Sequence, residues 1–220
     1  KDFEIIIIND GSTDRSLEIV NVIFKDFNKF KIINQENKGL SAARNTGIVS
    51  ARGEIIALLD ADDLWNIDFL KSIYNLHLKF PEISIFGTDY LEKYSDFNIL
   101  EVKKNIDTNL KNTLFIIEDF FVSNKHQSII CQSSIAFKKE ISNNLLFNET
   151  INYSEDVDFY LKAFLKYKIA YQYTPLTIIL VGIPKQITQI GIKNKNLPDL
   201  NIYENNNPNN LSLKKYLDFK

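Results

Sequence analysis

The first part of the chain reads as apolar runs separated by helical stripes. Phe3–Ile8 is a continuous, β-branched run, the signature of a strand buried on both faces. Asn9-Asp10-Gly11-Ser12-Thr13-Asp14 follows with turn chemistry. Ser12 or Thr13 is expected to cap the next helix and Asp14 to favour its dipole. Leu17, Val20, Asn21 and Phe24 recur at helical spacing, with Ile19 and Ile23 widening the stripe. Lys31–Asn34 predicts a short strand. Leu40–Ser50 predicts a helix that starts after Gly39 and is capped by Ser41. Glu54–Leu59 is a strand, Ile67–Phe80 a helix closed by Pro81, and Ile83–Thr88 a strand again.

Alternation of strand and helix implies an α/β fold with a doubly wound, largely parallel sheet. Ligands bind such sheets beyond the carboxyl ends of the strands. The polar clusters after Ile8 and Leu59 fall there. After Asp89 the pattern loosens. Tyr90–Val102 fits a hairpin or an extended excursion, and Leu114–Val122 a helix. Ser128–Phe137 fits one or two strands, Ser154 opens a helix to about Lys166, and Ile169–Tyr173 and Leu176–Val181 read as strands. From Lys185 the chain turns polar, with an Asn-rich patch at Asn205–Asn210. Residues 1–184 are therefore read as one domain, and 185–220 as a partly disordered extension.

Composition narrows the function classes. Hydrophobic residues make up 45% and charged residues 25% of the 220, the balance of a globular protein. A net charge of −2 argues against a nucleic-acid-coating role. One cysteine excludes a disulfide framework and a multi-cysteine zinc site. No apolar stretch reaches the length of about 20 residues that a membrane span needs. Methionine is absent even at position 1, so the chain is read as starting inside a longer gene product, where a signal peptide or first strand would be invisible. The load of Asn, Lys and Ile suggests an AT-rich, bacterial genome.

Four clusters carry candidate chemistry. Asp60-Ala61-Asp62 ends an extended segment, where residues i and i+2 point the same way. Paired carboxylates there suit a hard cation held jointly with phosphate oxygens; a solvated turn with Asp62 or Asp63 capping a helix is the plain alternative. Asp10 follows the first strand and is the one residue of its turn that helix capping leaves unexplained. Arg44 lies in the first turns of a helix rich in small residues, either facing a nucleotide or on the surface. Ser154-Glu155-Asp156-Val157-Asp158 opens a helix with an expected Ser154 cap, and its acids suit either the dipole or a general base. His77 reads as structural, His126 as able to reach a site, and Cys131 as a small buried residue.

In order and content these clusters resemble the family 2 glycosyltransferases, GT-A fold enzymes that use nucleotide-diphospho-sugars. Phe3–Asp14 resembles the family's second strand and nucleotide turn. Asn37–Gly47 is similar to its N-x-G-x-x-x-A-R-N-x-G helix, Leu58–Trp65 to its D-x-D segment, and Ser154–Asp158 to its E-D motif. The resemblance covers residues 1–180, with the family's first strand missing. It implies Asp10 on the base, Arg44 near the nucleotide and Asp60 on the ribose or at the metal. It further implies Asp62 on Mn²⁺ or Mg²⁺, and Asp156 as base with Glu155 beside it. No histidine follows His126, which leaves the family's late histidine ligand without a counterpart.

The resemblance implies an inverting enzyme that moves a sugar from a donor, expected to be UDP-linked, to a hydroxyl of a glycan or lipid-linked acceptor. Bacterial surface glycans such as lipopolysaccharide or capsule are the expected products. The expected place is the cytoplasm or the inner face of the cell membrane, with no nucleic-acid partner. The rivals are a non-catalytic nucleotide-sugar-binding domain and an aspartate phosphohydrolase. The latter wants Thr or Val after its D-x-D, where Asp63-Leu64 stands here.

Overall fold

The computed structural model describes residues 3–94, 98–125, 127–182 and 195–219. Strand β1 (Ile5–Asp10), helix α1 (Ser16–Phe24), strand β2 (Phe30–Gln35) and helix α2 (Leu40–Ser50) form the first unit. β1 and β2 pair in parallel from Ile5–Phe30 to Asp10–Gln35. Strand β3 (Ile55–Ala57), strand β4 (Leu64–Trp65), helix α3 (Phe69–Lys79), strand β5 (Ile85–Tyr94) and strand β6 (Ile99–Glu101) follow. Strand β7 (Leu114–Ile117), helix α4 (Phe120–Ser123), strand β8 (Ile135–Lys138), helix α5 (Glu155–Phe164) and strand β9 (Ile169–Val181) complete the main body.

The α/β class holds, and the two longest ladders, β1–β2 and β5–β9, are parallel. The strands of the first half do not all share one sheet. β1 and β2 form a sheet of their own, and the larger sheet runs β3-β8-β5-β9-β4. Strand β8 enters antiparallel between β3 and β5, so those two run in the same direction without touching. β6 folds back on β5 as the hairpin alternative for Tyr90–Val102 requires.

Alternation along the strands splits the core. Ile85, Ile135, Phe137, Ile169 and Tyr171 face one side, with Ile48 of α2 and Phe159 of α5. Phe86, Ala136 and Ala170 face the other, against Phe69, Ile73 and Leu76 of α3. Each fully buried Leu, Ile or Phe is worth about 1.5–3 kcal/mol. β1 departs from the expectation of burial on both faces: its residues are half-buried, because β2 is its one partner strand among the described residues.

Several local expectations change. Leu114–Val122 is a strand and a one-turn helix, because Leu114–Ile117 pairs with β9 and Asp119 then caps α4 by accepting from the Val122 N–H. The two strands expected around Pro175 are one. Proline has no N–H to give the ladder, and the register shifts around Asp89, its partner on β5. At that irregularity Lys104 is buried in an ion pair with Asp89. Ser12 and Thr13 do not cap α1, which starts at Ser16 with the Asp14 carboxylate accepting from the Ser16 N–H. Ser41 does not cap α2; it is buried and donates to the Ile151 carbonyl at 3.3 Å. Of the extension, residues 185–194 and 220 lie outside the described residues. Helices α6 (Leu200–Asn206) and α7 (Leu211–Leu217) fold on either side of the Asn-rich patch, and Leu213 and Tyr216 enter the main core.

Candidate functional site

The site grows from the start of α2. Gly39 precedes this helix at φ 88°, a conformation open to glycine. Asp10, at the carboxyl end of β1, holds the approach to the helix. Its carboxylate accepts from the Lys38 and Gly39 N–H groups at 2.9 Å each and from Gln35 Nε2 at 2.8 Å. Thr46 Oγ1 donates to Gln35 Oε1 at 2.7 Å and so orients that amide. The structure thus gives Asp10 a partner set that capping of α1 could not predict.

One turn into α2, Arg44 is almost enclosed, its side chain 8% exposed. It donates from Nη2 and Nε to Asp60, the shortest contact being 2.8 Å, and from Nη1 to Glu155 at 3.0 Å. Burial opposes its charge, yet the two carboxylates keep the guanidinium above its ordinary range. This burial excludes the surface alternative for Arg44.

The acidic stretch is a turn, not the end of a strand. β3 stops at Ala57, and the Asp63 N–H donates to the Asp60 carbonyl at 3.1 Å. The three acids therefore separate. Asp60 goes to Arg44, Asp63 goes inward, and Asp62 is exposed. Ser133, which no sequence signal marked, organises the turn. Its Oγ accepts from the Asp60 N–H at 3.0 Å and donates to Asp63 at 2.5 Å. Its carbonyl accepts from Trp65 Nε1 at 2.6 Å. Burial, opposed by the Ser133 bond, pushes the Asp63 carboxyl up to about 6.

Glu155 and Asp156 open α5. The expected Ser154 side-chain cap is not made; Ser154 stands at φ 57°, ψ 32°, the left-handed region. Asp156 accepts from the Val157 N–H at 2.9 Å. Burial first, and then the Asp156 charge, raises the phenols of Tyr160 and Tyr216 above their ordinary range. Asp158, next along, is buried on Lys162 at 2.7 Å and Tyr203 at 2.6 Å. Desolvation pushes the Cys131 thiol up to about 12, which suits the small-residue reading and not a nucleophile. His77 sits edge-on to Phe86 in the α3 core face. His126 lies outside the described residues.

Asp10, Arg44, Asp60 and Glu155 are thus linked through α2, with Asp62 and Asp156 beside two of them. Among the described residues no three His, Cys, Asp or Glu groups form a metal cage. A hard cation that shares one or two carboxylates with diphosphate oxygens needs no cage, and exposed Asp62 fits that use. Residues 1–146 match the family described as glycosyl transferase family 2.

The chain belongs to glycosyl transferase family 2. Among relatives of this family 2 member, the uncharacterized glycosyltransferase EpsJ of Bacillus subtilis (strain 168) is 32% identical over 74% of the chain. The minor teichoic acid biosynthesis protein GgaA of the same organism is 30% identical over 76%. The chain spans 48% and 37% of the lengths of these two proteins. The fold is that of S. aureus TarS 1–349 in complex with UDP-GlcNAc: the TM-score is 0.68 at 19% identity, over 86% of this chain and 52% of that one. The GT-A expectation is thereby met. Among the described residues no helix is long and apolar enough to cross a membrane.

Proposed function

We propose that the protein transfers a sugar, with inversion, from a UDP-linked donor to an acceptor hydroxyl. The observation that carries this reading is the linkage through α2 of Asp10, at the carboxyl end of β1, Asp60, in the turn beyond β3, and Glu155, at the start of α5. The carboxyl ends of the strands are where an α/β sheet binds ligands. Asp10 and the start of α2 would receive the nucleoside. Asp62 would hold Mn²⁺ or Mg²⁺ with the diphosphate, and a cation there neutralises charge on the leaving group. Asp156 accepts the acceptor's proton as its oxygen bonds to the anomeric carbon. The bond from that carbon to the diphosphate breaks, and UDP leaves with the electron pair. A positioned base contributes roughly 10²–10⁴-fold.

The family relationship to a teichoic acid biosynthesis protein supports a bacterial surface polymer as product, made from a glycan or lipid-linked acceptor in the cytoplasm or at the inner membrane face. A thermal-shift series tests the donor. UDP-sugars with Mn²⁺ should raise the melting temperature, and the same sugars with EDTA should raise it less. At 100 times Kd a ligand adds about 2.7 kcal/mol of apparent stability. No shift with any UDP-sugar would remove the donor assignment.

A further inference from the structure

Arg44 stands where a nucleotide contact was expected, yet it is built into the protein. All three of its nitrogens already donate, Nε and Nη2 to Asp60 and Nη1 to Glu155. One face of the guanidinium lies 5.0 Å from the centre of the Phe147 ring. We propose that Arg44 is a positioning residue: a strut between the D-x-D turn and α5 that sets the reach of the Asp156 base. The proposal rests on the transferase reading above.

The strut joins elements that the chain keeps far apart, the turn after β3 and the first residue of α5. Glu155 is followed directly by Asp156, so whatever holds Glu155 aims its neighbour. A second observation comes from Ser154. A left-handed residue other than glycine persists only where its surroundings over-determine it. Here α5 is fixed on its core side by Phe159, Leu161 and Ala163, all 0% exposed. It is fixed at its start by the Glu155–Arg44 pair at 3.0 Å. Ser154 takes up the bend where the chain enters this doubly anchored helix. Its carbonyl accepts from the Val157 and Asp158 N–H groups at 3.1 and 3.5 Å, so the first turn moves with it. Release of Glu155 would let that turn relax and carry Asp156 away from the acceptor oxygen. Lysine keeps the charge of arginine but cannot span two carboxylates with one ammonium.

The test compares wild type, Arg44→Lys, Glu155→Gln and the double variant in the full-length protein. It measures transfer kcat, donor Kd by titration, and hydrogen exchange along α5. Arg44→Lys should lower kcat by about tenfold or more with donor Kd unchanged within about twofold. Exchange at residues 156–158 should quicken while β5 is unaffected. Glu155→Gln keeps an oxygen for Arg44 but loses its charge, and should lower kcat about three- to tenfold, again with donor Kd unmoved. The double variant should fall no further than Arg44→Lys, because the pair acts as one unit. A donor affinity that falls in step with the rate would overturn the strut in favour of a nucleotide contact. Wild-type kcat in both single variants would also overturn it. If Arg44→Lys does not fold, Glu155→Gln decides alone by the same split. Absence of transfer by the wild type would instead remove the transferase reading, before any substitution is compared.

Discussion

Glu155 and Asp156 are neighbours for which separate work is proposed. Asp156→Asn keeps the shape of the side chain and removes its ability to accept a proton. If the residue served only the helix dipole, the change would cost no more than about 1 kcal/mol and leave transfer almost intact. As the base, its loss should lower the transfer rate by roughly 10²-fold or more while donor affinity survives. The measurement is transfer rate beside donor affinity, with Glu155→Gln showing a much smaller fall. Both residues were legible in the sequence as candidates, because an acidic pair opens a helix and resembles the family's E-D motif. Their partners were not. Nothing in Cys131-Gln132-Ser133-Ser134 marks Ser133 as the organiser of Asp60 and Asp63, since a lone serine has no pattern. Arg44 was visible as a residue but its pairing was not, because its two partners lie on other elements.

At the scale of elements, periodicity found those whose burial matches their pattern and failed where distant pairing decided. Leu114–Val122 carries apolar residues that fit a helical stripe as well as a strand. Only β9 settles it, by offering an edge to Leu114–Ile117. Pro175 suggested a break, and the break exists in the register but not in the course of β9. The start of α5 reads as a serine cap, whereas Ser154 stands in the left-handed region and makes no side-chain cap bond. β5 provides a direct check. A Cβ at Gly87 would lie 2.8 Å from Ile169 Cδ1 and 3.0 Å from Ile130 Cγ2, both within the core. Gly87→Ala should destabilise the protein by about 1–3 kcal/mol, as overpacking does. Denaturant titration should show a lower midpoint with the same slope.

Over the whole molecule, the C-terminal helices share the core of the main body. Tyr216 is 1% exposed and lies among Phe120 and Phe121, at 6.5 and 5.4 Å between ring centres. Tyr216→Ala should therefore cost about 3–5 kcal/mol, the loss seen when large buried aromatics are truncated. The shift should appear in the entire unfolding transition, followed through Trp65 fluorescence. An unmoved main transition would mean that the extension is a separate unit. Polar, Asn-rich composition hid this, because only a few apolar residues of α7 enter the core.

The two sheets also differ in how the chain must close to make them. Ile5 meets Phe30 across a short connection, whereas Ile85 meets Ile169 only after most of the chain exists. Loop closure precedes the reward of pairing, so long-range parallel ladders form slowly. During synthesis from the N-terminus, the β1–β2 unit that carries Asp10 can assemble while α5 and β9 are still unmade. The carboxylate proposed for the donor side is therefore in place well before the proposed base, and a growing chain holds one half of the proposed site long before the group that would let it react.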